Sequence, residues 1–444
     1  MLDYEHNFCR TSVMKMQGVK GTRDFYPPLM AVRNFIIDGW KAASLRNGFV
    51  EYDGPIFEYL KIFQLKSGDE IAEQLFNFTD RGGRSLAIRP EITPTLARMV
   101  NQKINSLPKP IKWFSVPRLC RAERPQKGRL REFFQWNIDI IGVDDVLADA
   151  EVIYTTVDYL REVGLRHHDV QVKISSRKLL ATGLTNIGVP ENQLDSLYTL
   201  LDKYTKLPRE TFKEELSKQI SNSVIVDKIV KLMGSTAVGE ACKVLGLNSD
   251  VNCVQELARL YDILGTMGIS QYCDLCPSIV RGLAYYTGIV FEIYAIGREL
   301  RAIGGGGRYD NLLGDFGGPD IPATGMGMGD CVLEILLREK GLLENAPAAL
   351  SLDDFVVCLD SQFMTKAVEV TARLRMAGLA SGFSYKGGSL KKQLKEASSA
   401  NAKRCIIIGA EYDNGELVVK DMATGKQETV SEGRFWADLE SRKG

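Results

Sequence analysis

The sequence predicts an α+β protein in two folded parts. A long amino-terminal part of strands and hairpins is interrupted by an inserted helical block, and a small carboxy-terminal α/β domain follows. Three observations carry this. At 444 residues the chain is too long for one ordinary core. From residue 355 onward the apolar pattern alternates strand, helix, strand, helix, strand. Between about 189 and 268 the spacing is helical throughout, with charge on the exposed face, and this block interrupts a run of strands.

Residues 1–16 carry Asp3 and Glu5 and no apolar stretch, so they are expected to be a disordered extension rather than a signal peptide. Ala31 to Asn47 has apolar residues at helical spacing (Val32, Phe35, Ile36, Trp40) and ends at Gly48. FVEYDGPIFEYL is extended and broken at Gly54 and Pro55. LFNFTDRGGRSLAIRPE alternates on both sides of a DRGG turn and predicts a hairpin. Thr93 to Asn101 is a helix, SLPKP breaks the chain, and IKWFSVPRLCRAE and REFFQWNIDIIG are strands around a polar loop. Ala148 to Val163 returns to helix. After the helical block, strands resume at about 278–303, and IPATGMGMGDCVLEILLREKG runs from a glycine-rich turn into a helix. Residues 346–354 read as a linker between a domain at 17–345 and one at 355–444, whose sheet is expected to be largely parallel.

Composition narrows the function. Lys+Arg and Asp+Glu are equal at 56 each, which neither demands a polyanionic partner nor excludes one bound in a local basic groove. Nine cysteines without framework spacing suit a reducing compartment, and the expectation is cytoplasmic. The CDLC pair at Cys273 and Cys276 lacks a second CxxC or a nearby histidine, so no structural metal is expected. No segment approaches the ~18 apolar residues of a membrane span, so no membrane partner is expected.

Two regions carry chemistry. RAERPQKGRLREFFQ, at 121–135, sets Arg121, Arg124, Lys127, Arg129 and Arg131 between two strands, with Gly128 at a turn. A solvated hairpin tip would account for a charged loop, but here the charges continue into the strands, where they must be buried or face a cleft. Arginine suits phosphate because its planar fork bonds two oxygens while staying charged. The loop therefore reads as a nucleotide-binding hairpin on an antiparallel sheet. The second region is RGLAYYTGIVFE at 281–292 followed by GGGGRYD at 304–310, either a charged edge strand or a site with an anion-holding arginine and a tyrosine-lined polar pocket.

Taken together these motifs resemble the histidyl-tRNA synthetase family of class II aminoacyl-tRNA synthetases. RAERPQKGRLREFFQ is similar to the second class-defining motif, and RGLAYYTGIVFE and GGGGRYD to the two histidine-specific ones. GTRDFYPP, IRPEITP and the region around GFVEYDGPIFE resemble further signatures, the last of them the dimer-forming first motif. SLKKQLKEA, RCIIIG and VVKDMATGKQ are similar to the anticodon-binding domain, so the likeness runs from residue 17 to about 430. It implies an α+β catalytic domain with a mainly antiparallel six-stranded class II sheet and a carboxy-terminal α/β anticodon-binding domain.

The implied reaction activates L-histidine with ATP, Mg²⁺ entering with the nucleotide, and transfers it to the 3′-terminal ribose of histidine tRNA on a homodimeric enzyme. By match to the motifs, Arg121 and Arg281 would be the catalytic cations at the α-phosphate, with Glu123 near the adenine amino group. Arg308, Gly327 and Gly329 complete the implied ATP set. Glu91, Thr93 and Gln135 would hold the substrate ammonium, Asp139 and Tyr286 would read the imidazole, and Tyr285 and Tyr309 would line the pocket. Arg124, Gln126 and Arg129 would meet the acceptor end of tRNA. Lys386, Lys391 and Lys392 are candidates toward the anticodon, with a solvated helix face the equal alternative.

Three departures stand out. Ala284 replaces a usual acid. Asp139 is one methylene shorter than the usual Glu, so the pocket must close in or a water must bridge. Where most class II enzymes end their third motif in Gly-x-Glu-Arg, the chain has Gly329-Asp330-Cys331, without the arginine that meets the γ-phosphate. Arg98 and Arg308 are candidates to cover that phosphate. The loss also keeps open a rival, a non-catalytic synthetase-like regulatory subunit that binds histidine in histidine biosynthesis.

Overall fold

The computed structural model describes residues 16–67, 75–280, 286–344 and 351–441. They group into two compact units, Arg33–Asn345 with the segment before Phe25, and Ala346–Gly444 with Phe25–Val32.

The first unit contains twelve strands among the described residues. They are β1 (Val50–Glu51), β2 (Phe57–Tyr59), β3 (Asn77–Thr79), β4 (Ser85–Ile88), β5 (Ile111–Ser115) and β6 (Arg118–Cys120). These are followed by β7 (Glu132–Ile141), β8 (Val170–Ser176), β9 (Cys273–Leu275), β10 (Ile289–Ala295), β11 (Gly304–Arg308) and β12 (Ala323–Gly329). The main sheet runs β1-β5-β7-β12-β11-β10-β8-β9, with β6 against β7. Its six strands from β5 to β8 pair antiparallel throughout, as the expected class II sheet requires. Parallel β1 and β9 are added at the two edges. The hairpin at DRGG forms as expected: β3 and β4 pair antiparallel, and Asp80 Oδ1 accepts from the Arg84 amide at 2.9 Å.

One expectation is corrected. GMGMG is a strand, not a turn, and so is the GGGG run. β12 pairs with β7 on one side and β11 on the other, Gly305 opposite Gly327 and Gly307 opposite Gly325. Glycine is required here by space rather than by turn geometry. A Cβ on Gly305 would lie 2.6 Å from the Phe291 carbonyl oxygen, one on Gly307 2.5 Å from that of Ile289, and one on Gly306 closer still to that of Gly325.

The back of the sheet is packed by the Arg33–Arg46 part of helix Pro27–Arg46 and by helix Val146–Glu162. Trp136 of β7 stacks on Trp40 with ring centroids 6.3 Å apart and meets Tyr159 edge-on at 5.5 Å. Its indole N–H donates to Ser44 Oγ at 2.8 Å, satisfying a buried donor. Between β8 and β9, five helices from Leu194–Leu201 to Asn252–Thr266 bury Leu197, Phe212, Leu216, Ile229 and Leu257.

The second unit has β13 (Asp354–Cys358), β14 (Ser381–Phe383), β15 (Arg404–Ile408), β16 (Glu416–Asp421) and β17 (Gln427–Ser431), in the order β14-β13-β15-β16-β17. β14, β13 and β15 are parallel, joined through helices Met364–Met376 and Leu390–Ser399, and β16 and β17 extend the sheet antiparallel. Among the described residues no helix is long and apolar enough to cross a membrane.

The glycine ladder gives a direct contrast. Gly306→Ala should destabilise the fold by about 3 kcal/mol or more, because the neighbour it meets is backbone. Gly329→Ala, with nothing within 4 Å and ordinary φ of −83°, should change chemical-denaturation stability by less than about 1 kcal/mol.

Candidate functional site

Side chains directly opposite each other in a sheet share a face. On β7, Gln135, Asn137 and Asp139 stand opposite Gly329, Gly327 and Gly325 of β12. Gly327 and Gly325 in turn face Gly305 and Gly307 of β11, whose outer partners are Glu292 and Val290 of β10. The result is a floor of five glycines with polar β7 side chains along one side and Glu292 along the other. The β7 side chains lean over the floor: a Cβ on Gly327 would lie 3.0 Å from the Gln135 amide carbon, and one on Gly325 would overlap Asp139 Oδ1.

At the Gln135 end stands the arginine-rich loop. The Arg121 guanidinium lies 5.0 Å over the Phe133 ring and its Nε donates to the Pro90 carbonyl at 3.1 Å. That bond ties it to the RPEIT segment, so Glu91 and Thr93, at the start of helix Thr93–Lys103, come close to Arg121. Glu123 pairs with Arg129. The loop closes in a tight turn in which the Gln126 and Arg129 backbones exchange two hydrogen bonds of 2.9 Å around Gly128, whose φ of +74° favours glycine. Arg124 and Gln126 are exposed, whereas Arg129 is half-buried. Despite its carboxylate partner, burial first, and then the charges of Arg301 and Arg121, hold Arg129 below its ordinary value.

At the other end Tyr309, directly after β11, donates its hydroxyl to Asp139 Oδ1, and both are buried. Tyr286 is buried in the same cluster, its ring 3.0 Å from where a Gly307 Cβ would stand. Sequence reasoning missed Tyr52. Its ring lies 5.5 Å from that of Trp113, the cross-strand partner of Asp139, tilted by 34°, and its buried hydroxyl has no hydrogen-bond partner among the described residues. Burial, then the nearby Asp139 charge, push that phenol well up. Only the polar character of a single tyrosine in an extended segment could have hinted at it.

Arg308 requires a correction. It was expected toward ATP, but it is a buried tie behind the sheet. Its Nε and Nη2 donate to Asp149 Oδ2 at 3.0 and 2.5 Å, and its Nη1 and Nη2 donate to the Val143 and Asp145 carbonyls at 3.0 and 2.9 Å. Alternation along β11 explains this, since Gly305, Gly307 and Tyr309 face the floor and Arg308 must face the opposite side. Burial pushes the Asp149 carboxyl up to about 6 against the pull of Arg308, so the pair is still ionic at neutral pH. Arg98 is also committed, with Nε and Nη2 on Glu58 Oε1 at 3.0 and 2.5 Å.

The third motif lacks a cation in the structure as in the sequence. Counted as Gly-x-Glu-Arg from Gly329, the arginine position falls to Val332, one residue past Cys331. Asp330 is buried and faces Arg23 at 2.5 Å, and it also accepts from the Phe134 amide at 3.1 Å. Arg281 and Tyr285 lie outside the described residues. Among the described residues no three His, Cys, Asp or Glu side chains cluster to hold a metal ion.

Asp149→Ala, which strands the Arg308 guanidinium in the core, should lower unfolding stability by about 3–5 kcal/mol in denaturant titration. The double change with Arg308→Met should recover a measurable part of that loss.

The comparisons agree with this geometry. The histidyl-tRNA synthetase family matches residues 21–329, and an anticodon binding domain matches residues 354–442. A histidine–tRNA ligase of Arabidopsis thaliana, named chloroplastic/mitochondrial, is 38% identical over 409 residues, covering 92% of this chain and 83% of its own. The histidine–tRNA ligase of Opitutus terrae is 37% identical, covering 93% and 95%. Among solved structures, the histidyl-tRNA synthetase of Nostoc sp. PCC 7120 shares the fold, with TM-score 0.82 at 24% identity over 97% of this chain and all of its own. A Bacillus halodurans protein titled an ATP phosphoribosyltransferase regulatory subunit/histidyl-tRNA synthetase shares the fold as well, with TM-score 0.74 at 22% identity over 89% and 98%. Fold alone therefore does not separate the two activities, whereas the matched sequence over nearly the whole chain does, and the chain belongs to the histidyl-tRNA synthetase family.

Proposed function

We propose that the chain is a histidine–tRNA ligase, with a catalytic domain at 17–345 and an anticodon-binding domain at 355–444. The observation that carries this is the shared face of the sheet: a cation-bearing loop and a closed polar pocket lie at opposite ends of one glycine floor. That arrangement suits a nucleotide joined to a small amino acid.

In the first step a carboxylate oxygen of histidine attacks the α-phosphorus of ATP. A new P–O bond forms, the bond to the bridging oxygen of the β-phosphate breaks, and pyrophosphate leaves. In the second step the terminal ribose hydroxyl of tRNA attacks the activated carbonyl, loses its proton and displaces AMP. Arg121, stacked on Phe133, supplies fixed positive charge where the α-phosphate lies, and Arg281 is assigned to the same group. Glu123 faces the adenine amino group. The glycines let the nucleotide approach the backbone closely. Mg²⁺ entering with ATP would supply further positive charge at its phosphates.

Glu91, Thr93 and Gln135 take the ammonium. Asp139 accepts the imidazole N–H, with Tyr309 fixing its carboxylate and Tyr286 and Tyr285 closing the pocket. The orphaned Tyr52 hydroxyl fits a polar ligand or a bridging water beside the shorter acid. Arg124 and Gln126, exposed at the loop tip, meet the acceptor end of tRNA. In the second unit Tyr385, 82% exposed and 4.6 Å from Phe383, offers an unstacked base a platform beside Lys386, Lys391 and Lys392. The described cysteines are all free thiols, which favours the cytoplasmic location assigned here.

A second copy of the chain is assigned to the apolar surface formed by Val50, Ile56, Phe57, Tyr59 and Phe78, each at least 44% exposed. Light scattering of the purified protein should give a dimer, and Phe57→Glu should shift it toward monomer.

Histidine-dependent exchange of pyrophosphate into ATP is the direct test. Its absence at saturating histidine and Mg²⁺ would favour the regulatory role. With exchange present, Tyr309→Phe should raise KM for histidine about tenfold or more, while KM for ATP stays within twofold.

A further inference from the structure

The missing third-motif cation leaves a specific vacancy in the charge balance of an ATP site, and the structure limits what can fill it. Arg98 and Arg308 are paired elsewhere. Arg129 is held by Glu123. Arg23 is held by Asp330 and lies 3.5 Å from Glu334.

Among the described residues, Arg301 is an arginine near the third motif with no such partner. Arg301 lies on the arm entering β11, two residues before Ile303, and the Ile303 carbonyl accepts from the Gly329 amide at 3.3 Å. The arm therefore runs beside the turn that starts helix Asp330–Glu339. Arg301 is exposed and makes no ion pair or hydrogen bond with any described residue. It is nonetheless close enough to Arg129 for their charges to repel, in a neighbourhood that Arg121 shares. Arg301 beside Arg129, whose own partner is Glu123, is an arrangement that a polyanion would relieve.

The arm's contact with Gly329 and the nearness of Arg129 bring this charge to the nucleotide end of the floor. Gly128 packs its Cα face against Val332, so the arginine-rich loop lies down on the helix start where the family's arginine would stand. Neighbouring cations have a carboxylate instead: Lys127 and Arg298 both approach Glu339, at 3.6 and 3.8 Å. Arg298, on the same hairpin as Arg301, shows what that loop's arginines do when a carboxylate is in reach.

We propose that Arg301 takes over the role of the absent third-motif arginine and binds the γ-phosphate of ATP. This rests on the ligase assignment for the identity of the nucleotide, but not for its test. The contact is a charge-assisted hydrogen bond made to ATP and lost once pyrophosphate leaves. Arg301 thus contributes to ATP and pyrophosphate binding and not to the adenylate.

The experiment compares the full-length protein with Arg301→Ala, Arg301→Lys and Arg298→Ala. Calorimetry measures ATP binding in Mg²⁺, together with binding of a non-hydrolysable histidyl-adenylate analogue, which has no β- or γ-phosphate. Arg301→Ala should weaken ATP about tenfold or more and leave the analogue within twofold. Arg301→Lys should recover part of the ATP affinity, and Arg298→Ala should match the unaltered protein. In pyrophosphate exchange, KM for ATP should rise in Arg301→Ala while KM for histidine does not. Unchanged ATP affinity in Arg301→Ala, or a parallel loss for ATP and the analogue, overturns the assignment. A protein that binds ATP but shows no histidine-dependent exchange would fail the ligase assignment, while the calorimetric comparison still decides the role of Arg301. A protein that binds no ATP overturns both.

Discussion

Close approach of backbone to backbone across β10, β11 and β12 is the constraint on which the rest of the catalytic unit depends. The carbonyls of Ile289 and Phe291 come within a distance that no Cβ on Gly307 or Gly305 would permit, so the centre of the sheet carries almost no side chains on the floor of the site. A side-chain-free strip is costly in a strand, because glycine gives up more backbone freedom on folding and contributes no packing. Wide strands of branched residues on the back, with Trp136, Ile138 and Ile140 buried on β7, make up for it. The open strip is thus bounded by two cores, one of Trp136, Ile138 and Ile140 behind the sheet and one around Tyr286, Val290 and Tyr309 at the pocket end of its front face.

Charge is distributed by the same logic of faces. Residues that alternate behind the floor are locked in ion pairs that hold helices to it: Arg308 with Asp149 on one helix, and Asp330 with Arg23 at the start of another. Those on the floor side are arranged around polar groups that a ligand can reach, such as Asp139 with Tyr309 and Arg121 over Phe133. Two arginines of one motif family can therefore have opposite fates, and the strand register decides which.

Much of the architecture was legible. Alternation and turn residues located the hairpin at β3 and β4, the strands flanking the arginine-rich loop and the α/β order of the second unit. The positions matching family motifs in β7 and after β11 do come together, as Asp139 with Tyr309 demonstrates. What misled was local chemistry read without pairing partners. GMGMG has turn composition and becomes a strand only because two neighbours press on it. Arg308 sits in a motif that faces the site on either side of it but itself points away. Arg301 belongs to no motif and Tyr52 lies in the stretch likened to the first motif with no role assigned there, so the interest of both arises only from what is, and is not, beside them in space.

The seat of Gly128 on Val332 has an implication for how such a site can change over generations. The small branched side chain and the bare Cα are complementary in volume, so neither position is independent. A long cationic side chain at 332 would need the turn at 126–129 to lift, exposing the apolar patch that Val332 and Ile335 now share with it. A change at 332 is therefore felt at the turn 126–129, two distant stretches of sequence meeting at one contact.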